Sequence, residues 1–419
     1  MPIPLVPEDE LCLLLSRGEL SPGIQARALE LLARQLRWDQ VLHRAYEHHL
    51  FPLLYRSLRK LEFYHVSAAA RTELTGAFRT NALRNEFLRQ KLVSLLRALS
   101  DSGIRAIPLK GVALSQKLYG DPAFRDCSDI DLLVPEGQVL VARRRIIDQG
   151  YKGVFPEAFF VQHQFPTGVD CPLNPEVQNP HFPFQVDLHW TILHHSSKDS
   201  EVVQELWSAA GQSSFFGVSA YALSPTWEFL FLAEHAAGHK WQALRWLADI
   251  HDLCMSVPMD WKQVREKTNQ FELQWIVSTT LAACASLFGM PIPREFSDAS
   301  LPSGIQLYPN ALSPQVGWKA PLFYPRLLKR PSEKLRWYAD IIFVARPADR
   351  AYVRFPAALS FLYYLWRPLR LSLKWSSLSA RAGFRWLRDS LSRHRLNISK
   401  SPAATCSEPN PVAVRHRLS

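Results

Sequence analysis

The segment Arg125–Pro135, RDCSDIDLLVP, sets two carboxylates, Asp129 and Asp131, on either side of one isoleucine and then runs into Leu-Leu-Val. Side chains of a strand alternate, so residues two apart share a face, and the apolar run that follows marks the strand as buried. Two like charges on one face raise each other's pKa and call for a cation. A third acid, Asp187, lies in the alternating segment QVDLHW. With the two strands side by side, three carboxylates meet within several ångströms. Such an all-oxygen cluster suits magnesium shared with substrate phosphates and water, rather than a dry cage of protein ligands.

Outward from this strand the chain reads as an α/β unit. IRAIPLKG is a short apolar strand ending on Gly111, VALSQKLYG is a short helix closed by Gly120, EGQVLVARRRIIDQGY is an amphipathic helix, and FQVDLHWTI is a third strand. Between the last two, Phe155–Phe184 is proline-rich and aperiodic, which predicts a long loop suited to covering a site. Before Gly103 the apolar residues recur at helical spacing. One helix is predicted across WDQVLHRAYEHHLFPLLYRSLRK and another across ARTELTGAFRTNALRNEFLRQKLVSLLRALSDSG. After Pro225, TWEFLFLAEHAAGHKWQALRWLADIHDLCMSV reads as one continuous helix, and Pro291–Ala320 as a linker or ordered loop. The predicted segments are therefore helical 1–100, an α/β core over 101–223, helical 224–350, and a basic aromatic region over 351–419 ending in a disordered tail.

Composition narrows the function classes. A 47% hydrophobic, 419-residue chain buries a sizeable core. The net charge of +11 is concentrated: residues 351–419 hold 12 Lys/Arg against Asp389 and Glu408, so the remainder is nearly neutral and argues against a long RNA acceptor. The six cysteines are scattered, as in a chain of reduced thiols. The start, MPIPLVPEDELCLLLSRGEL, lacks a basic region followed by an apolar one, and no uncharged apolar run reaches membrane-spanning length. A cytoplasmic protein without a transmembrane segment, soluble or peripheral to a membrane, is expected.

The order PLKGVALSQKLYGDPAFRDCSDIDLLV, then VDLHW, then HAAGHKWQALRWLADI resembles the uncharacterised nucleotidyltransferase family of the DNA polymerase β-like superfamily. The resemblance runs from Trp38 to Leu253 and is most specific over Leu109–Val134. It implies an α+β fold, a small mixed-sheet nucleotidyltransferase core embedded in a mostly helical chain. It also implies transfer of a nucleoside monophosphate from an NTP, ATP among the candidates, to an acceptor, with two Mg²⁺. Asp129 and Asp131 would bind both ions and Asp187 the ion that activates the acceptor. Lys110, Gly111, Arg125 and Ser128 would meet the nucleotide. The superfamily turn has Gly-Ser and a shorter gap; here Val112 follows Gly111 and 17 residues separate Gly111 from Asp129, which leaves Ser115 as a substitute hydroxyl.

His235 and His239, four apart, share a helix face, as do Arg245 and Asp249. By the same resemblance they orient the acceptor or close over the nucleotide; as plain residues of a half-buried helix they are core histidines and a structural ion pair. His189, on the face of Asp187, is read as structural. His251-Asp252 with His235 and His239 faintly resembles the ligand set of HD-type phosphohydrolases, although the spacing is compressed. A non-catalytic alternative is a binding or membrane-associated scaffold on the same fold. Residues 351–395, where Phe, Tyr, Trp and Leu interleave with Arg and Lys, fit an anionic membrane surface or nucleic acid, or else a helix packed on its own core.

Overall fold

The computed structural model describes residues 5–154, 156–161, 170–193, 199–301, 331–343, 349, 352–353 and 355–373. Most of the linker expected over Pro291–Ala320, and the tail from 374 onward, lie outside the described residues. The N-terminal helices are α1 (Pro7–Leu15), α2 (Pro22–Leu32), α3 (Trp38–Glu47), α4 (Phe51–Lys60) and the 33-residue α5 (Ala68–Ser100). Ser21 and Ser67 cap α2 and α5 by accepting from the Ile24 and Ala70 amides. The single helix predicted across residues 38–60 is two, because the chain turns between them at His49, whose φ is +57°. On α5, Leu88, Leu92, Leu95, Leu96 and Leu99 recur at three- and four-residue spacing and bury one stripe against the sheet.

The core strands are β1 (Ile107–Pro108), β2 (Asp129–Leu133), β3 (Tyr151–Gly153), β4 (Asp170–Pro175) and β5 (Gln185–His189), with α6 (Gly111–Tyr119), α7 (Val139–Asp148) and the one-turn α8 (Glu157–Phe159) between them. They form one mixed sheet in the order β1-β2-β5-β4-β3, in which only β2 and β5 run parallel. This is the α+β, mixed-sheet architecture expected. The sequence pattern missed β4, which crosses the segment expected to be a loop. Prolines argue against an interior strand. Here Pro172 pairs with Asp187 on one side, while on the other its carbonyl accepts from Val154 N at 3.2 Å, a bond that needs no N–H from proline.

After α9 (Asp199–Ala209), a hairpin of β6 (Gly211–Phe215) and β7 (Val218–Ala222) turns at Phe216-Gly217, both at positive φ, as a tight two-residue turn requires. Tyr221 N then bonds Ala106 O at 2.9 Å, tying the hairpin to the chain just before β1. Next come α10 (Pro225–Gly238), α11 (Leu244–Ser256), α12 (Trp261–Gln270) and α13 (Gln274–Phe288). The helix read as continuous from α10 to α11 breaks after Gly238, with Lys240 and Trp241 at φ +59° and +50°. From Thr226 to Ala237 every residue of α10 except His235 is buried. His235 is thus the one position of that stretch that is not buried, and its Nε2 lies 3.4 Å from Lys110 Nζ.

Candidate active site

The parallel register of β2 and β5 sets Asp131 directly beside Asp187, and Asp129 lies one pleat upstream on the same face. Ligand oxygens of the three lie within 4.8 Å of one another, and among the described residues this is the one group of acids, histidines and cysteines with metal-holding geometry. Asp131 is the most buried of them, at 6% exposure. Its Oδ1 lies 3.0 Å from His189 Nε2, and its Oδ2, which accepts no hydrogen bond, lies 3.2 Å from Lys110 Nζ. Burial opposes the charge on this carboxylate, but the Lys110 ammonium and His189 outweigh it and hold its pKa below the usual range. Gln185 Nε2 donates to Asp187 Oδ1 at 2.6 Å. Three carboxylates against one ammonium leave a formal charge of −2, matched to a divalent ion with oxygen ligands.

Beside the acids, Lys110 ends the turn from β1 into α6. Gly111 has φ +65°, the left-handed backbone that glycine adopts without strain, and a Cβ there would rest in ordinary contact with Asp129 O at 3.5 Å. No side chain caps α6, which leaves the first-turn N–H groups free of a capping partner beside the acids. Lys110 Nζ also lies 3.4 Å from His235 Nε2. Burial and the nearby ammonium hold the His235 imidazole well below its ordinary pKa, so it is neutral at physiological pH. The His239 ring stacks on Trp246 at 4.7 Å and stands edge-on to His235 at the same centroid distance. His189, read as structural from the sequence, thus contacts an acid of the cluster, and Ser128 is exposed at the start of β2.

Two residues expected to meet the nucleotide are buried in contacts within the protein. Ser115 is fully buried and donates to Asp121 O at 2.8 Å, closing the short turn at Pro122–Phe124. Arg125 is 4% exposed, with Nε 3.0 Å from Asp249 Oδ2, so two expected site residues instead form one buried ion pair.

The segment entering β2 is held by residues that sequence reading missed. Asn81 Nδ2 donates to Ala123 O (2.8 Å) and Arg125 O (3.1 Å), and Asn85 Nδ2 donates to Pro122 O and Arg125 O (both 2.6 Å). Two asparagines four apart in a helix, both at most 1% exposed, were the available signal: a buried amide needs partners. Asp126 is bound by Arg84 and by His49 Nδ1 at 2.6 Å, while Arg245 donates to its backbone carbonyl. Burial would raise the Asp126 pKa, yet His49, Arg84 and Arg245 hold it below the ordinary range. A depressed carboxylate stabilises the fold above its unfolded value and loses that contribution as pH falls through the folded one. Asp126→Asn should therefore cost about 1.5–3 kcal/mol at neutral pH. In urea titrations the gap from wild type should close as pH drops below about 4; a constant gap would assign the loss to amide packing instead.

The HD-type alternative fails on geometry. Asp252 accepts from Gly18 N (2.9 Å) and Tyr119 Oη (3.1 Å) and lies 2.8 Å from His251 Nδ1, so it ties the N-terminal helices to α11. Neither residue joins a metal-holding group among those described.

The chain is similar to the crystal structure of an antigenic nucleotidyltransferase-like protein from Paracoccidioides brasiliensis, at 16% identity and a TM-score of 0.29, over 48% of this chain and 96% of that one. No curated protein matches it. The model of a family described as uncharacterised nucleotidyltransferase matches residues 34–289, more than half of the chain and all of the acid cluster, and the protein belongs to that family.

Proposed function

We propose that the chain transfers a nucleoside monophosphate from an NTP to an acceptor hydroxyl or similar nucleophile. A bond forms from the acceptor to the α-phosphorus, the bond to the β-phosphate oxygen breaks, and pyrophosphate leaves. The observation that carries this is the convergence of Asp129, Asp131 and Asp187 on one point, beside an uncapped helix start and a lysine. The acids are assigned to two Mg²⁺, which when bound would polarise the α-phosphate and lower the pKa of the acceptor.

The chain's own residues prepare that site. Lys110 keeps Asp131 ionised, Gly111 and the first turn of α6 offer N–H groups to phosphate oxygens, and Ser128 stands at the open end of β2. His235 is neutral and accepts rather than repels a proton donor. His239 with Trp246, at the end of α10 and in α11, gives the acceptor side a flat wall. Arg125 and Asp249 position the approach to β2, and Arg245 holds it through Asp126. Arg84 of α5, His235 of α10 and Arg245 and Asp249 of α11 thus support the core strands around the acids.

The test is label transfer in a lysate with Mg²⁺, using α-labelled and γ-labelled NTPs in turn. Transfer of α-label, absent with Asp129→Asn/Asp131→Asn, supports the proposal, and the labelled species names the acceptor. Transfer of γ-label alone makes the protein a kinase. Nucleotide binding without transfer makes it a binding protein on this fold.

A further inference from the structure

The helix over residues 363–373, YYLWRPLRLSL, is built inside out. Its inward stripe is Tyr363 and Arg367, 2% and 7% exposed. Arg367 Nη1 and Arg370 Nε both donate to the fully buried Asp349 carboxylate, at 2.8 and 2.5 Å, and Tyr363 Oη donates to Val353 O at 2.9 Å. Its outward stripe is Leu365, Leu369 and Leu373, four residues apart and 69%, 54% and 58% exposed, extended upstream by Phe361 at 52%. A helix that faces water does the reverse, turning leucines in and arginines out. The buried Asp349 fixes the rotation of this helix, because turning the leucines inward would strand a carboxylate without its two guanidinium partners.

We propose that this leucine stripe docks the chain, peripherally, on an anionic lipid surface. The stripe supplies aliphatic side chains for the acyl boundary. Immediately after it, residues 374–419 carry nine Lys/Arg against Asp389 and Glu408, with Trp375, Phe384 and Trp386 among them, which is the charge and residue content an anionic interface recruits. Among the described residues no helix is long and apolar enough to cross a membrane, so the contact is with one face. Nucleic acid fits the stripe poorly: leucines neither stack on bases nor meet phosphates, and the two arginines nearest to it are occupied by Asp349. A second copy fits poorly too, since both partners would bring the same positive flank.

The experiment is co-sedimentation of the full chain with vesicles of phosphatidylcholine alone and of phosphatidylcholine with phosphatidylserine, at low and high salt. The variants are Leu365→Glu/Leu369→Glu and, as a milder pair, Leu365→Ser/Leu373→Ser. Binding to the anionic vesicles that falls about tenfold in both variants, while their thermal melting is unchanged, supports the proposal. No binding at low salt, or equal binding of wild type and variants, overturns it. So does a stripe substitution that instead abolishes retention of single-stranded RNA or dissociates a dimer in vesicle-free solution.

Discussion

Asp131→Asn should lower nucleotidyl transfer by about a thousandfold or more, the several kcal/mol that a metal-centred charge site contributes to such a transition state. The asparagine keeps the shape of the side chain but removes the negative partner of Lys110 at 3.2 Å and of His189 at 3.0 Å. The half-buried Lys110 ammonium then loses its ion-pair partner, so metal-free stability falls as well. Asp129→Asn should separate these effects. With three carboxylates within 4.8 Å, each like pair repels by about 3 kcal/mol at an effective dielectric of ~20, and Lys110 pairs Asp131, not Asp129, while Asp187 accepts from Gln185. Its neutralisation should raise the metal-free melting temperature while still abolishing transfer. Magnesium should stabilise the wild type with concentration, by about 2.7 kcal/mol at a hundredfold excess over Kd, and leave both variants flat. Transfer within tenfold of wild type in Asp131→Asn would remove the cluster from the chemistry.

The acids were legible because their information is local. Asp-Ile-Asp before an apolar run fixes a face by alternation alone, and Val-Asp-Leu repeats the pattern 56 residues on, so pairing the two strands was enough to bring Asp131 and Asp187 together. Gly111 was legible for the same reason, since the turn it makes lies between a strand and a helix adjacent in sequence. Strand β4 was hidden because Pro172 and Pro175 break the strand pattern, and nothing in the chain says that a proline's missing donor can fall where none is required. The supports of β2 were hidden by distance. Asn81 and Asn85 reach carbonyls about forty residues away, and His49 reaches Asp126 across 77. Their partners are backbone atoms or one acid among many, which carry no pattern. The break between α10 and α11 had a weak local sign in Gly238, overridden by apolar spacing that continues in phase on both sides.

Asp249→Ala should cost about 3–5 kcal/mol, the usual price of leaving one member of a buried pair uncompensated. Arg125 and Asp249 are both at most 4% exposed and 124 residues apart, so a guanidinium left by the substitution stays buried without its carboxylate. The same guanidinium was expected at the phosphates, and stability alone does not distinguish the two roles. The double substitution Arg125→Met/Asp249→Leu does. It replaces the pair by apolar volume, which commonly returns most of the lost stability. If Arg125 acts by holding the approach to Asp129, transfer recovers together with the melting temperature, and the KM for NTP stays near the wild-type value. If its charge meets a phosphate oxygen, the double variant refolds but KM for NTP remains raised by about tenfold or more, as loss of a charge-assisted hydrogen bond requires. Because the carbonyl of Arg125 is itself gripped by Asn81 and Asn85, the positioning role also predicts that Asn85→Ala reduces transfer with no change in KM, while a phosphate role gives Asn85 no part in turnover.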